Sequence, residues 1–239
     1  MLILALDSTA VTASVALCRD ETPIASFHVK NGNTHSETLL PMAQTMLQAF
    51  SLRPDNIDLF ACSAGPGSFT GVRIGVSTVK GLAFATNTPC IGVSTLEALA
   101  YNLCGFDGVL CPVMNARRSQ VYNALFRCCN GTLTRLCDDR AIAIAELNQE
   151  LQSIEPSLPI YLCGDGYDLT VPALTLPDCR LRSTPTLLRV QNAYSVAQIA
   201  LHQYNEGACP NDIELSPSYL RLSQAERERL EKLQNSAGK

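Results

Sequence analysis

The stretch Ser63–Gly75, with the sequence SAGPGSFTGVRIG, constrains the fold of this chain more than any other. It begins at the end of an apolar run over residues 57–62, typical of a buried strand, and leads into a helical pattern over residues 70–85. Strand, glycine-rich turn and helix together can direct backbone N–H groups and a positive helix end at an anion. The glycines follow neither the Walker nor the Rossmann spacing. An anion site and a tight connection that binds nothing therefore both remain open.

A second polar group follows the first apolar run of the chain. Residues 2–6 are wholly apolar, as in a central strand, and Asp7, Ser8 and Thr9 come directly after them. An acidic residue and two hydroxyls at this place can hold a metal–phosphate or another polar ligand. They can equally start a turn in which they bond their own backbone. The candidate ligand or phosphate loop consists of Asp7, Ser8, Thr9, Gly65, Gly67 and Ser68.

The helical pattern over residues 70–85 is apolar on most of its surface. Val72, Val76 and Val79 form one face, which we expect to cover the chain's own sheet. An adjacent face contains small or apolar residues that would let another helix approach closely; they are Gly71, Gly75, Thr78 and Leu82, with Ile74 beside them. Such a helix lies either deep in its own core or at an interface.

A second helix of this kind precedes it in the chain. Thr34 is the expected N-cap, with Glu37 completing a capping box. The helical positions from Leu39 through Met42 and Met46 to Phe50 are apolar over about half of the wheel, again more than one core face needs.

The order of patterns in the first 103 residues is β-β-β-α-β-α-β-α, which predicts an α/β fold with a mixed sheet and helices on its faces. The second half repeats this plan in shorter form, with a strand at 109–114, a hairpin partner at 121–127 and a helix at 193–204. The predicted units are a lobe over residues 1–104, a smaller lobe over 105–221, and a charged helical or disordered tail over 222–239.

Composition narrows the function classes. The net charge is −4, the pI is about 5.4, and the sequence contains no cluster of Lys and Arg, so binding of nucleic acid by this chain unaided is disfavoured. The eleven cysteines are scattered, odd in number and without metal-ligand spacing. With neither a signal peptide nor a membrane-length apolar run, we expect a cytoplasmic protein with reduced thiols and no membrane partner.

Several motifs together resemble the TsaB family, whose members are required for threonylcarbamoyladenosine formation in tRNA. The matching segments are Asp7–Thr9, His35–Glu37, Gly65–Gly75, Gly92–Leu96 and Tyr219–Arg221. The likeness is specific over residues 1–103 and looser afterwards. In the second half the family usually has acidic residues where this chain has Asn115 and Gln120. The resemblance implies two lobes of the actin and sugar-kinase type, each built on a ribonuclease-H-like sheet.

The resemblance also implies a role without catalysis. TsaB-like proteins are partners of the related transferase TsaD, the ATPase TsaE joins them, and tRNA is reached only through the complex. The partners pack through the first two helices of the N-terminal lobe. We therefore expect a partner surface, used also in a homodimer, made of His35, Leu39, Met42, Met46, Gly71, Ile74, Gly75, Thr78 and Leu82. Gly75 in particular is expected to face the partner, because a glycine inside a helix costs roughly 1 kcal/mol relative to alanine.

Two enzymatic alternatives compete with this role. TsaD-like enzymes bind a metal through two histidines, and the positions that align with them here are Thr95 and Leu99, with Glu97 between. A hydroxyl and an isobutyl group do not form an imidazole pair, so neither a metal site nor a metallopeptidase is expected. The alternative function is an ATP-binding kinase or ATPase of the same superfold, with Asp7 near the phosphates. We expect no cofactor. The alternative is a nucleotide bound at the interface that this chain shares with its partners in the complex.

Overall fold

The computed structural model describes residues 1–208 and 211–221, which form two mixed sheets with helices on their faces. The elements of the first half follow the predicted order; they are β1 (Leu2–Asp7), β2 (Ala13–Arg19), β3 (Thr22–Val29), α1 (His35–Ala49), β4 (Leu59–Gly65), α2 (Phe69–Thr86), β5 (Cys90–Ser94) and α3 (Thr95–Tyr101). The mixed α/β architecture predicted from the sequence is confirmed.

The first sheet has the strand order β3-β2-β1-β4-β5. Strands β1, β2 and β3 form an antiparallel meander, whereas β1, β4 and β5 run parallel to one another. Since the carboxyl ends of parallel strands meet at one edge of a sheet, Asp7–Thr9 and the loop after Gly65 are brought together.

The second half forms another sheet of the order β10-β7-β6-β11-β12, to which β8 and β9 are added beside β6. Its elements are β6 (Gly108–Asn115), β7 (Gln120–Asn123), β8 (Phe126–Cys129), β9 (Thr132–Arg135), β10 (Arg140–Ala143), α4 (Ile144–Ser153), β11 (Ile160–Cys163), α5 (Tyr167–Thr170), β12 (Leu181–Arg182) and α6 (Ala193–Asn205). The single strand predicted over residues 121–127 is two strands. At the end of β7, the side-chain amide of Asn123 donates to Pro112 O and Ala124 O over 3.0 Å each, where the chain leaves the strand.

Helix α6 does not follow the predicted division of the chain. The sequence places it in the lobe over residues 105–221, yet Val196, Ala197 and Ala200 pack in one cluster with Ile3 and Ala61 of the first sheet. The physical reason is that β1 and β4 are apolar on both faces. Helices α1 and α2 cover one face, and α6 with part of α3 covers the other. The remainder of α3 packs on the second sheet.

The sequence leaves Ser68 or Thr70 as the cap of α2 and Ser94 or Thr95 as the cap of α3, and in both helices the serine is the cap. The Ser68 and Ser94 hydroxyls accept from the amides of Gly71 and Glu97, and thereby cap α2 and α3. The capping box at Thr34 is wrong, because α1 has no side-chain cap and the Thr34 hydroxyl is bonded to Ser36 Oγ over 3.0 Å.

Residues 217–221 belong to no helix or strand, and the predicted tail over 222–239 lies outside the described residues. Among the helices of residues 1–208 and 211–221, none has the length and apolarity that crossing a bilayer requires.

Candidate functional site

A cleft of about 550 Å³ separates the two sheets at the carboxyl ends of their parallel strands. One wall comes from the turn after β1 and the loop before α2, residues 9–11 and 66–70. The other comes from the end of β6 and from Asp165 after β11, and residues 218–221 complete the lining. Of the six residues in the candidate ligand loop, Thr9, Gly67 and Ser68 line this cleft, while the other three lie behind its wall.

Asp7 is buried, and its carboxylate is occupied by its neighbours. Ser63 Oγ donates to Oδ2 over 2.6 Å, and the Thr9 amide and hydroxyl donate to Oδ1 over 2.9 and 2.7 Å. Burial raises the pKa of the Asp7 carboxyl, and these three donors oppose that rise. The contacts correspond to the turn-forming alternative for Asp7, in which the side chain holds β1 to β4.

Ser8 and the glycines of the loop are also used inside the chain. Ser8 Oγ donates to Gly71 O over 2.8 Å. A β-carbon at Gly67 would come within 2.5 Å of Thr9 O, the atom that accepts the Ser68 amide over 2.7 Å. Gly65 has a φ of 120°, which L side chains rarely adopt, and it lies against Ser218 O. Tight packing of three chain segments thus explains the glycines; a phosphate at this loop stays a prediction.

A turn with unusual backbone geometry faces the loop across the cleft. Arg117, Arg118 and Ser119 have φ values of 62°, 53° and 56°, a run of left-handed residues that is costly without glycine. Asn115 Oδ1 accepts from the Arg117 amide over 2.8 Å and supports the turn. The Asn115 amide in turn donates to Asp165 Oδ1 over 3.2 Å.

Asp165 is a cleft residue that the sequence did not single out as a site residue. The signal was present in the segment Gly164-Asp165-Gly166 directly after a strand. Burial raises the pKa of the Asp165 carboxyl, while the hydrogen bond from the Asn115 amide opposes the rise. The group of Asn115 that contacts Asp165 is its backbone N–H, whereas its side-chain oxygen is bonded to the Arg117 amide.

The C-terminal segment, residues 215–221, crosses from the first lobe to the second. Lys80 Nζ donates to Leu215 O over 2.9 Å, and the Ser218 amide donates to Ala64 O over 2.7 Å. At the far end, Arg221 Nη1 donates to Ala116 O over 2.8 Å. This segment thus closes one side of the cleft and connects α2 with the turn after β6.

The predicted partner surface is partly wrong, since five of its nine residues belong to the monomer's own core. Leu39, Met42 and Met46 are buried under the first sheet. Gly71 and Gly75 face Ser8, and a β-carbon at Gly75 would come within 2.8 Å of Ser8 Oγ. The error arises because β1 extends as a polar turn beneath the start of α2, so the glycine face packs inward alongside the valine face.

The other four residues are half-buried. His35 Nε2 donates to Ala10 O over 2.5 Å and so attaches α1 to the β1–β2 turn. Ile74, Thr78 and Leu82 lie at the border of the exposed surface of α2. Their contact with a partner stays a prediction.

The outer surface of α2 exposes a different glycine and a large aromatic ring. Phe84 is 77% exposed. Gly81 is exposed, and a β-carbon added to it would meet no atom within 4 Å. On α1 and just after it, Leu40 and Phe50 are exposed by 41% and 44%. We call Leu40, Phe50, Gly81 and Phe84, with the three border residues Ile74, Thr78 and Leu82, the outer helix face.

The positions that align with metal ligands lie inside the molecule. Thr95 and Leu99 are buried on α3. Glu97, between them, accepts from Arg135 Nη2 over 2.8 Å, and Arg135 Nη1 donates to Asp139 over 2.7 Å, which ties α3 to the second sheet. In the part of the chain that the structure describes, no group of three His, Cys, Asp or Glu side chains could hold a metal.

The buried cysteine thiols are unreactive. Burial raises the pKa of the Cys90 thiol to about 11 and that of Cys111 to about 12. Since the thiolate is the nucleophile, these groups are protonated and unreactive near pH 7. They behave as small core residues, in agreement with their strand positions.

Comparisons with known proteins point to threonylcarbamoyladenosine formation in tRNA. Residues 28–179 match the family model described as TsaD, tRNA N6-adenosine threonylcarbamoyltransferase. A Bacillus subtilis (strain 168) protein named tRNA threonylcarbamoyladenosine biosynthesis protein TsaB is 33% identical over 232 residues, which are 97% of this chain and 99% of that protein. The Escherichia coli (strain K12) protein of the same name is 38% identical over 129 residues, 53% of this chain and 55% of that protein.

A solved structure from Pseudomonas aeruginosa, described as an uncharacterized protein with similarity to the peptidase YeaZ, superposes with a TM-score of 0.79. It is 24% identical and covers 92% of this chain and 99% of that chain. At this identity the likeness establishes the fold alone.

Proposed function

The chain belongs to the TsaB family of tRNA threonylcarbamoyladenosine biosynthesis proteins, and we propose that within this pathway it is the non-catalytic subunit that binds and activates a TsaD-like transferase. Its role lies in forming threonylcarbamoyladenosine in tRNA. The proposed complex also includes a TsaE-like ATPase, contacts tRNA as an assembly, and works in the cytoplasm.

One observation carries the proposal, namely the outer helix face. Phe84 leaves 77% of its surface in water at the end of a helix whose opposite side is fully packed. Gly81 carries the helix cost of glycine, and no contact from residues 1–208 or 211–221 requires a glycine there. A partner helix that packs across Gly81 and covers Phe84 accounts for both features.

Further support comes from what the chain does with the groups that a related enzyme would use. The two aligned ligand positions are buried hydroxyl and aliphatic side chains, and Asp7 is bonded to Ser63 and Thr9. Because these side chains are engaged in contacts inside the chain, they favour a subunit that contributes binding.

The test is a reconstitution with the TsaD-family protein of the same genome. We expect a stable complex by size-exclusion chromatography, and tRNA modification only when both proteins are present with the TsaE-family ATPase. Phe84→Glu should abolish complex formation, because it places a charge in an apolar contact. Leu187→Glu is the matched control, since Leu187 is 73% exposed on the second lobe. Equal binding by both variants would reject this face as the interface.

The ATP-binding alternative rests on the interlobe cleft of about 550 Å³. Calorimetry with Mg-ATP on the isolated chain, followed by a turnover assay, separates the two functions. We expect no catalysed hydrolysis and no peptide cleavage by the chain alone. Turnover by the chain that falls on substitution of Asp165 would establish the enzyme instead.

A further inference from the structure

Arg73 at the start of α2 has a surface environment that the other exposed arginines of residues 1–208 and 211–221 do not share. Its Cζ lies 4.0 Å from the centre of the Phe69 ring, one helical turn earlier. Its Nε donates to the Tyr219 hydroxyl over 2.8 Å, across 146 positions of sequence. The Phe69 and Tyr219 rings are themselves stacked, with centres 4.4 Å apart and planes at 22°. The guanidinium is thus held in one orientation by two rings, although Arg73 is exposed.

Tyr219 reaches this position through contacts on both sides of it. The Ser218 amide is bonded to Ala64 O on one side, and Arg221 is bonded to Ala116 O on the other. The C-terminal segment therefore delivers the Tyr219 hydroxyl to Arg73 as a fixed acceptor, and Tyr219 is a positioning residue.

The two Nη groups of the guanidinium have no hydrogen-bond partner among residues 1–208 and 211–221. Within that part of the chain, the one hydrogen bond of the Arg73 side chain is the bond from Nε to the Tyr219 hydroxyl. Among the ion pairs of residues 1–208 and 211–221, none includes Arg73. A planar guanidinium whose rotamer is already fixed is suited to bidentate binding of a carboxylate, because little side-chain entropy is lost on binding.

Arg73 also lies in line with the outer helix face. At about 100° per residue, positions 73 and 84 are only about 20° apart on the wheel, and Gly81 lies about 60° from Phe84. Arg73, Gly81 and Phe84 therefore face the same side of α2, one near its start and two near its end. A partner helix that packs on Gly81 and Phe84 would extend to Arg73 as well.

We propose that Arg73 is a preorganised anchor for a carboxylate side chain of the protein partner that docks on α2, and that Tyr219 sets its orientation. This inference rests on the proposed function. It adds the chemistry that the partner must present, an Asp or Glu opposite the first turns of α2. A phosphate of RNA is the less fitting ligand, because Arg73 is aligned with an apolar helix face and the chain carries a net charge of −4.

The test measures affinity for the purified TsaD-family protein of the same genome by calorimetry at two salt concentrations. Arg73→Ala should weaken binding about tenfold to hundredfold, the range for hydrogen bonds to charged groups, and should reduce its salt dependence. Arg73→Lys should recover only part of the affinity, because an ammonium lacks the planar fork. Tyr219→Phe, which keeps the ring and removes the acceptor, should cost about twofold to tenfold without changing the salt dependence.

Four comparisons keep the failure of this inference separate from failure of the proposed function. Arg182→Ala removes an exposed arginine of the second lobe and should bind like the wild type. If wild type binds and Arg73→Ala binds within twofold of it, the anchor is rejected while the proposed function stands. If the combined Glu226→Gln and Glu228→Gln variant removes the effect of Arg73→Ala, the carboxylate belongs to this chain's own C-terminus, which also overturns the proposal. Normal protein affinity with weakened tRNA retention would assign Arg73 to a phosphate instead.

Discussion

Ser8 lies directly against Gly71 and Gly75, its hydroxyl donating to Gly71 O over 2.8 Å and facing the space where a side chain at residue 75 would begin. The polar turn after β1 and the first half of α2 are therefore packed backbone against backbone. This contact determines which glycines of α2 serve the fold and which remain free for another role.

Alanine at Gly71 should destabilise the protein. Its β-carbon would overlap Ser8 O, a backbone atom at the buried end of a central strand that has no room to move. We expect a loss of at least about 2 kcal/mol in the free energy of unfolding, which is in the range of overpacked cores. Urea denaturation measures it. Gly75→Ala should cost less, because its contact is with a side-chain hydroxyl, and an unchanged midpoint for Gly71→Ala would contradict the contact.

Alanine at Gly81 should have the opposite effect on the same helix. No atom of the residues that the structure describes lies within 4 Å of the added β-carbon, so the substitution should gain helix propensity of about 0.5–1 kcal/mol without a clash. For a chain of this length the melting temperature should rise by about 1–4 °C.

A bulky residue at Gly81 separates folding from binding. Gly81→Leu should leave the melting temperature at or above that of the wild type and weaken binding of the TsaD-family partner by at least about tenfold, because the helices are held apart. Gly105→Leu is the control, because Gly105 is exposed and a β-carbon added there would meet no described atom within 4 Å. Gly131 is not suitable, because its φ of 75° would strain a leucine. Normal binding by Gly81→Leu would exclude the close approach.

The outer helix face should also support self-association at high concentration. Two copies related by a two-fold axis would pair Phe84 and the surrounding apolar atoms, at about 25 cal/mol for each Å² buried. Analytical ultracentrifugation should show a dimer that Phe84→Glu dissociates and Leu187→Glu does not. A monomer over the whole accessible concentration range would count against this prediction.

Asp7→Asn should change how stability depends on pH. Burial raises the pKa of the Asp7 carboxyl above its ordinary value of 3.8, so the folded state binds the proton more tightly than the unfolded state. The stability that Asp7 contributes is thus fully present below pH 3.8 and is lost as the pH rises through the folded pKa. The variant's stability relative to wild type should therefore increase with pH over that interval and then level off.

Urea denaturation of both proteins from pH 4 to pH 8 measures this difference. Asp55→Asn removes one negative charge at an exposed site and controls for net charge. A relative stability of Asp7→Asn that falls with rising pH would mean that the donors from Ser63 and Thr9 outweigh burial.

The sequence by itself determined the elements of the first lobe and their order. Periods of two and of 3.6 residues, with Ser68 and Ser94 as caps, are local signals, and they specified α2 and α3 to within about a turn. The same signals located β11 and α6. They missed β10, Arg140–Ala143, a short strand that pairs with the distant β7. They also joined β7 to β8, because the break after Asn123 involves a bond to Pro112 on a neighbouring strand.

Only the tertiary structure decided what the candidate residues do. A helical wheel shows that Gly71 and Gly75 share a face, but the neighbour of that face is Ser8, more than sixty residues earlier in the chain. From the sequence, the Asp7 carboxylate could have faced a ligand. In the structure its Oδ2 accepts a hydrogen bond from Ser63 on the neighbouring strand. The same is true of two other features, namely the packing of α6 on the first sheet and the hydrogen bond between Arg73 and Tyr219. Both features arise from contacts between segments that are distant in the chain, and such contacts produce no periodic pattern in the sequence. The contacts form because a sheet that is apolar on both faces must be covered on both.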